Sequence, residues 1–432
     1  MADVISVLVL IIIALWSYFL FAHIRAASHP AFIFSIFWFS VLVIAKIFSG
    51  SQLNIDAAAI YISAAVFAFG IPSILFKKIE ITNDHHATDC RDLMTSIFIA
   101  MQIFIIIGIF LHIRAQGFSI SNVIKAPDKF GGDFIGLRYS GKITSTLYIQ
   151  ITTILNYVCV ALCGLIVAND RRYVIPALLT IAAFIPSLAT MFLMGDKGTL
   201  PQSIALYCGG LFVGWVSVGK TTIMTKRAAI FFTIGVFAMV PIMTVAMIIK
   251  VVGKFQAPNS QLVENLYYAF RSYAFGSVYA FSDWLSWYIS PQYGTRYIEQ
   301  SYTMGQLTFW GISKYIPTAY QMPDGYYSEY FEVPGVVRTN IYTSFRGLVT
   351  DFGLIGSLLF MSAIGFLSSA AYKLMAIKYS APLSQTFYIM LIGAIYASSL
   401  ISLGTWASPF IAAFLLLLIL SRHSLVAFFR RE

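Results

Sequence analysis

Charge is what this sequence has least of: Asp, Glu, Lys and Arg together make up 11% of its 432 residues, against about 25% in a soluble domain. With 59% hydrophobic residues, no single water-soluble core can hide the apolar surface, and disorder, collagen and coiled coil are excluded by the same numbers. Cysteine is sparse. Cys90, Cys159, Cys163 and Cys208 are the four, and no C-x-x-C pair exists, so zinc sites and a disulfide framework are not expected; all four read as packing residues. The apolar stretches also lack a chain of ionisable residues. Lys46, His112 and Asp351 fall near their ends, and Gln102, Gln150 and Asn156 are the other polar positions that stand out. Pumps and ion-coupled transporters place such groups in mid-span, which weighs against that class.

What is present is a series of long apolar runs. A spanning helix needs about 20 of them in a row, and eleven segments qualify: roughly 4–22, 31–48, 57–76, 94–113, 144–167, 173–194, 201–218, 228–249, 347–372, 383–402 and 405–421. The opening Met-Ala-Asp-Val carries no positive charge, so the first run reads as a span and not as a cleaved signal. Pro186 and Pro241 are expected to kink their helices. The expected fold class is therefore an all-α polytopic membrane protein. Its parts are eight spans over 1–249 with an outer loop at about 114–143, a large outer loop over 250–346, and three spans with an inner tail over 347–432.

Orientation follows from Lys and Arg in the connections. With the N-terminus outside, fourteen of the 28 basic residues fall on the inner side, among them Lys77, Lys78, Arg171, Arg172, Lys226 and Arg227. Twelve of the others sit in the two long outer segments, which cross largely regardless of charge. Most of the net charge of +10 is then topological, with anionic membrane lipid as its partner. A nucleic-acid surface is not required.

The outer segment 250–346 is the anomaly. A long loop inside a compact protein is usually functional, and this one holds 14 of the 25 Tyr together with Trp284, Trp287 and Trp310. Residues 264–290 read as an amphipathic helix lying on the membrane. Aromatic faces suit sugar rings, and the Tyr hydroxyl adds a hydrogen bond; an interfacial aromatic belt is the plainer alternative. Arg138, Lys197, Arg271, Arg296, Arg338 and Arg346 lie in or beside apolar surroundings on the same side. Arg suits bidentate phosphate binding, with ordinary ion pairing as the alternative.

The junction of loop and span carries a motif. Asn340, Tyr342, Thr343 and Arg346 form N-x-Y-T-x-x-R, and Asp351, Phe352, Gly353 and Gly356 form D-F-G-x-x-G. This resembles the signature of Wzy-type O-antigen and capsule oligosaccharide repeat-unit polymerases. The resemblance implies a GT-C-like glycosyltransferase facing the periplasm, with a large, partly helical periplasmic loop, in the inner membrane of a bacterium. Its substrates would be oligosaccharide units on undecaprenyl pyrophosphate, joined without metal, nucleotide or other cofactor. A flippase and a chain-length regulator would be its partners. Family members use outer-loop arginines for substrate; Arg346 matches, and Arg138 matches more loosely. Lys197 stands where relatives often carry Arg, and Arg346 to Gly356 is one residue short of the R-x(10)-G spacing of some relatives.

Departure of a pyrophosphate needs its charge neutralised. Arg346, Arg138 and Lys197 are expected to do so, with Arg338, Arg271, Tyr342 and Asn340 binding substrate. Asp351 is the first candidate for a base on the acceptor hydroxyl, its alternative role being to cap the helix or neutralise an Arg; Glu299, Glu329 and Glu332 follow. A ligase of the same layout would carry a histidine in the large loop, and none is there. A lipid-linked sugar flippase or other transporter, not an enzyme, is the third reading. Gly214 to Thr221 fits G-x(4)-G-K-[ST], but a phosphate loop follows a strand in a soluble unit. Gly210 and Gly214 read instead as close helix contacts.

Overall fold

The computed structural model describes residues 2–50, 52–76, 91–168, 174–196, 198–217, 259–291, 297, 302–316, 327–377 and 381–429. In chain order its elements are α1 (Ala2–Ile24), α2 (Pro30–Ser49), α3 (Asp56–Gly70) continued by a 3-10 turn (Ile71–Leu75), α4 (Arg91–Ala115), α5 (Ile120–Lys125) and α6 (Pro127–Tyr139). Then come α7 (Leu147–Ala168), α8 (Val174–Met194), α9 (Thr199–Ser217), α10 (Asn259–Phe270), a π-helical turn (Arg271–Phe275), α11 (Gly276–Ile289) and α12 (Trp310–Ser313). A two-stranded antiparallel hairpin, β1 (Phe331–Val333) and β2 (Val337–Thr339), leads into α13 (Ser344–Ile377), α14 (Pro382–Ala397), a 3-10 turn (Leu403–Thr405) and α15 (Ala407–Phe429).

Seven of these helices, α1, α2, α3, α4, α7, α8 and α13, are long and apolar enough to cross a bilayer. The molecule is thus a predominantly helical, polytopic membrane protein. Three more of the eleven expected spans are the helices α9, α14 and α15; α14 has only 16 residues. The expected span 228–249, with Pro241, lies outside the described residues. Apolar side chains left exposed at helical spacing, such as Leu178, Ile181 and Ile185 on α8, are the faces that meet lipid.

The chain divides into two compact units. The first comprises Met1–Ile79, Thr221–Lys373 and Ala394–Ala407. Its α2 starts where Pro30 takes the first helical position and the preceding His29 accepts the Ala31 amide through Nδ1 at 3.2 Å, a cap for one orphan donor. α11 packs against α2 and α3. The Tyr279 hydroxyl donates to the Ala45 carbonyl at 2.7 Å, and Ser277 donates to the Ser399 carbonyl at 2.5 Å. Residues 276–282 are buried without a break. The expectation of an amphipathic helix on the membrane over 264–290 is therefore corrected. The stretch is helical, but residues 276–282 are enclosed on every side, because Gly, Ser and Ala let neighbours approach and the serines bond to backbone.

The second unit comprises Glu80–Lys220, Leu374–Gly393 and Ser408–Glu432. α7 and α9 approach so closely that a Cβ at Gly164 would overlap the Tyr207 carbonyl and one at Gly210 the Ala161 carbonyl. This is small-residue packing of membrane helices. Gly214 lies inside α9, with no strand before it, so the first half of the phosphate-loop pattern is continuous helix; Lys220 falls outside the described residues. Pro186 removes the amide that would bond to the Ala182 carbonyl, and Gln102 supplies the missing donor to that carbonyl at 3.0 Å. Asn156 donates to Ser187 at 3.1 Å and to Ser203 at 3.0 Å, tying α7 to α8 and α9. Two of the mid-span polar residues are thereby accounted for as interhelical bonds. Cys159 and Cys163 are buried free thiols of α7, in keeping with a packing role; Cys90 is outside the described residues.

Candidate functional site

The site grows from the first turns of α13. Tyr342 and Thr343 precede the helix, Ser344 opens it by donating its amide to the Ser398 carbonyl at 2.9 Å, and Arg346 follows less than one turn in. Arg346 is 1% exposed, so its charge has left water and must be compensated within the protein. Glu329 does this. Its Oε1 accepts a charge-assisted hydrogen bond from Arg346 Nη2, and its side chain is 17% exposed.

Aromatic rings enclose the guanidinium. Its carbon lies 3.6 Å from the Tyr327 ring centroid, 4.0 Å from Tyr342, 5.2 Å from Trp284 and 5.8 Å from Tyr297. Cation–π attraction is worth about 0.5–2 kcal/mol for a desolvated pair, so the cage offsets part of the desolvation. The Tyr297 hydroxyl donates to Asp283 Oδ2 at 2.6 Å. Burial, then the nearby Tyr342, then Asp283 raise the Tyr297 phenol above its ordinary range, which keeps it a donor.

The cage does not satisfy the guanidinium completely. Among the described residues, Arg346 Nε and Nη1 are buried without a hydrogen-bond partner, and so are the Thr343 and Thr350 hydroxyls. Arg346 and Thr350 are spaced i and i+4 on one face of the helix, and Thr343 immediately precedes it. Leaving such groups unmade costs about 1–3 kcal/mol each, more for a charge.

Asp351 lies about 140° around the helix from Arg346, at 100° per residue, and serves a different neighbour. It is fully buried. Oδ1 accepts from the Thr303 hydroxyl and from the Leu307 amide at 3.0 Å, and Oδ2 from the Thr308 amide at 2.7 Å and hydroxyl at 2.5 Å. Its own carbonyl accepts the Met304 amide at 3.2 Å. A carboxylate has about four lone-pair positions, and all are used. Two residues on, Gly353 breaks the helix with φ 72° and ψ 178°, a conformation open essentially to glycine alone, and the Tyr302 ring lies against it.

The other expected site residues fall as follows. Arg271 sits in the π-helical turn with its guanidinium 4.3 Å from the Tyr267 ring centroid and Nε buried without a partner. Arg338 is exposed on the hairpin. It stands across the strands from Glu332, with Nε 3.4 Å from Oε2, and lies over Tyr330. Asn340 is half-buried between β2 and α13. Arg138, in the second unit, is exposed and donates to the Met194 carbonyl at 2.9 Å. Lys197 and Glu299 lie outside the described residues. The fold thus joins Arg346 and Tyr342 in one cage and gives Asp351 a separate pocket on the same helix. Trp284, Tyr297 and Tyr327 were visible in the sequence only as part of an aromatic-rich loop, and nothing local singled them out. Among the described residues no three His, Cys, Asp or Glu side chains come together as a metal set would.

Compared with family models, with curated proteins and with solved structures, the chain matches none.

Proposed function

We propose that this chain is a membrane glycosyltransferase that polymerises undecaprenyl-pyrophosphate-linked oligosaccharide repeat units into O-antigen or capsular polysaccharide. The growing chain is transferred from its lipid onto the next lipid-linked unit, and undecaprenyl pyrophosphate leaves. The reaction takes place at the periplasmic face of a bacterial inner membrane, with the N-terminus periplasmic, the C-terminus cytoplasmic and eleven spans in all.

One observation carries this reading. The motif residue Arg346, at the end of the tyrosine-rich segment, is a buried cation caged by Trp284, Tyr297, Tyr327 and Tyr342, with donors left over. A purely structural arginine would be expected to have its donors filled. Unfilled donors beside aromatic faces suit a ligand that combines sugar rings with anionic oxygens. Arg346 is the centre of the proposed site; Arg271, Arg338 and Asn340 are proposed to hold the rest of the substrate. The four hydrogen bonds on Asp351 favour its capping and anchoring role over that of a base.

Deleting the gene tests the reading against its rivals. Loss of a polymerase leaves lipid A carrying single repeat units. Long chains stranded on the lipid carrier would mean a ligase, and units confined to the cytoplasm would mean a flippase.

A further inference from the structure

Glu329 is the member of the Arg346 cage that solvent can reach. Arg346, Tyr342, Trp284, Tyr297 and Tyr327 are all buried, whereas the Glu329 side chain keeps 17% of its surface open. Its two oxygens differ. Oε1 is committed to Arg346 Nη2, while among the described residues Oε2 has only a long 3.4 Å contact from the exposed Ser328 hydroxyl, too long and too wet to hold it firmly. The guanidinium is also constrained. Nη2 carries one N–H for each of its two donor edges, so the bond to Glu329 takes up one edge and leaves the other for an anionic oxygen pair. Asp283, the half-exposed carboxylate on the neighbouring α11, already takes the Tyr297 hydroxyl, and Asp351 is filled by four donors.

From this we infer that Glu329 is the catalytic base of the proposed glycosyl transfer, and that Arg346 positions it. The inference rests on the polymerase reading. In the step, the acceptor sugar's hydroxyl proton passes to Glu329 Oε2, and the hydroxyl oxygen's electron pair forms the new bond to the donor's anomeric carbon. The bond from that carbon to the diphosphate oxygen breaks, and its electron pair leaves on the diphosphate. Arg346 Nε and Nη1 remain as donors toward the anionic side of the substrate.

The test uses the full-length protein in nanodiscs, supplied with lipid-linked oligosaccharide extracted from a strain deleted for this chain. Wild type lengthens these units. Glu329→Gln lowers turnover by about a hundredfold or more, the usual worth of a positioned base, while KM stays within about threefold. Arg346→Lys, which keeps the cation but loses the fork, restores part of the turnover that Arg346→Ala loses. A Glu329→Gln enzyme that turns over at the wild-type rate overturns the inference. One that turns over faster or binds its substrate more tightly makes Glu329 an occluding plug, which overturns it equally. Should the Gln variant fail to assemble, Glu329→Asp decides: a turnover about tenfold down with unchanged KM supports the base, and unchanged turnover refutes it. If the wild-type protein leaves the extract unaltered, the polymerase reading itself falls; an active wild type beside an equally active Glu329→Gln sinks the base alone.

Discussion

Asp351 holds Thr308 twice, taking its backbone amide at 2.7 Å and its hydroxyl at 2.5 Å on the same carboxylate oxygen. With Thr303 and Leu307 on the other oxygen, the acid at the end of the Asn340–Asp351 motif fastens the 303–308 turn to the first segment of α13.

Asp351→Asn turns one of two acceptors into a donor facing donors. Losing buried hydrogen bonds to a charged group costs about 1.5–3 kcal/mol each, so the variant is expected to melt well below wild type in detergent. Differential scanning fluorimetry checks this. A wild-type melting temperature with abolished chain growth would return Asp351 to the role of base.

Gly353→Ala places a side chain at φ 72°, ψ 178°, with the Tyr302 ring 3.1–3.4 Å from the new methyl. Strain of this kind costs about 1–3 kcal/mol, and the contact adds to it. The variant is expected to unfold earlier, and its 303–308 amides to exchange faster, since the break ends the segment that carries Asp351. Unchanged hydrogen exchange over 303–308 would show that the break and the turn are independent.

His29 gives a pH dependence with a defined sign. Burial lowers it from the ordinary 6.5 to about 3, and its cap on α2 needs a neutral Nδ1. Below pH 6.5 the unfolded chain binds a proton that the folded chain refuses. Stability from this residue is therefore complete above pH 6.5 and falls as the pH drops toward 3, by about 1.4 kcal/mol per pH unit. His29→Asn, which can cap but does not titrate, should flatten that part of the pH–stability curve. Parallel curves for the two proteins would refute the assignment.

Topology is tested by reporter fusions. Alkaline phosphatase joined after residue 143 or after residue 340 should be active, and joined after residue 80 inactive. The reverse pattern would place the aromatic cage in the cytosol and end the proposed substrate with it.

The spans were legible because lipid imposes a single rule over about 20 residues, and α1, α2, α4, α7 and α8 obey it without interruption. α11 was not. Residues 276–282 mix Gly, Ser and Ala with Val, Tyr and Phe, and only the partners of Ser277, Tyr279 and Ser282 on α2, α3 and the Ser399 backbone make them interior. The site was half legible. Arg346, Tyr342 and Asp351 stood out through their motif, and Arg346 was expected to meet phosphate. Its pairing with Glu329 crosses 17 residues and depends on the hairpin that sets Glu332 opposite Arg338. Turn and register decide that pairing, and hydropathy does not report them. Trp284 joins the cage only because α11 is folded inward.

The most direct measurement of the central claim is the glycan ladder of a strain deleted for this chain and complemented with Arg346→Ala. Glu329 can turn toward solvent when its partner is gone, so the protein should remain in the membrane, checked by immunoblot. The account predicts glycans of one repeat unit with that variant and full-length chains with the wild-type copy. Full-length chains from Arg346→Ala would contradict it.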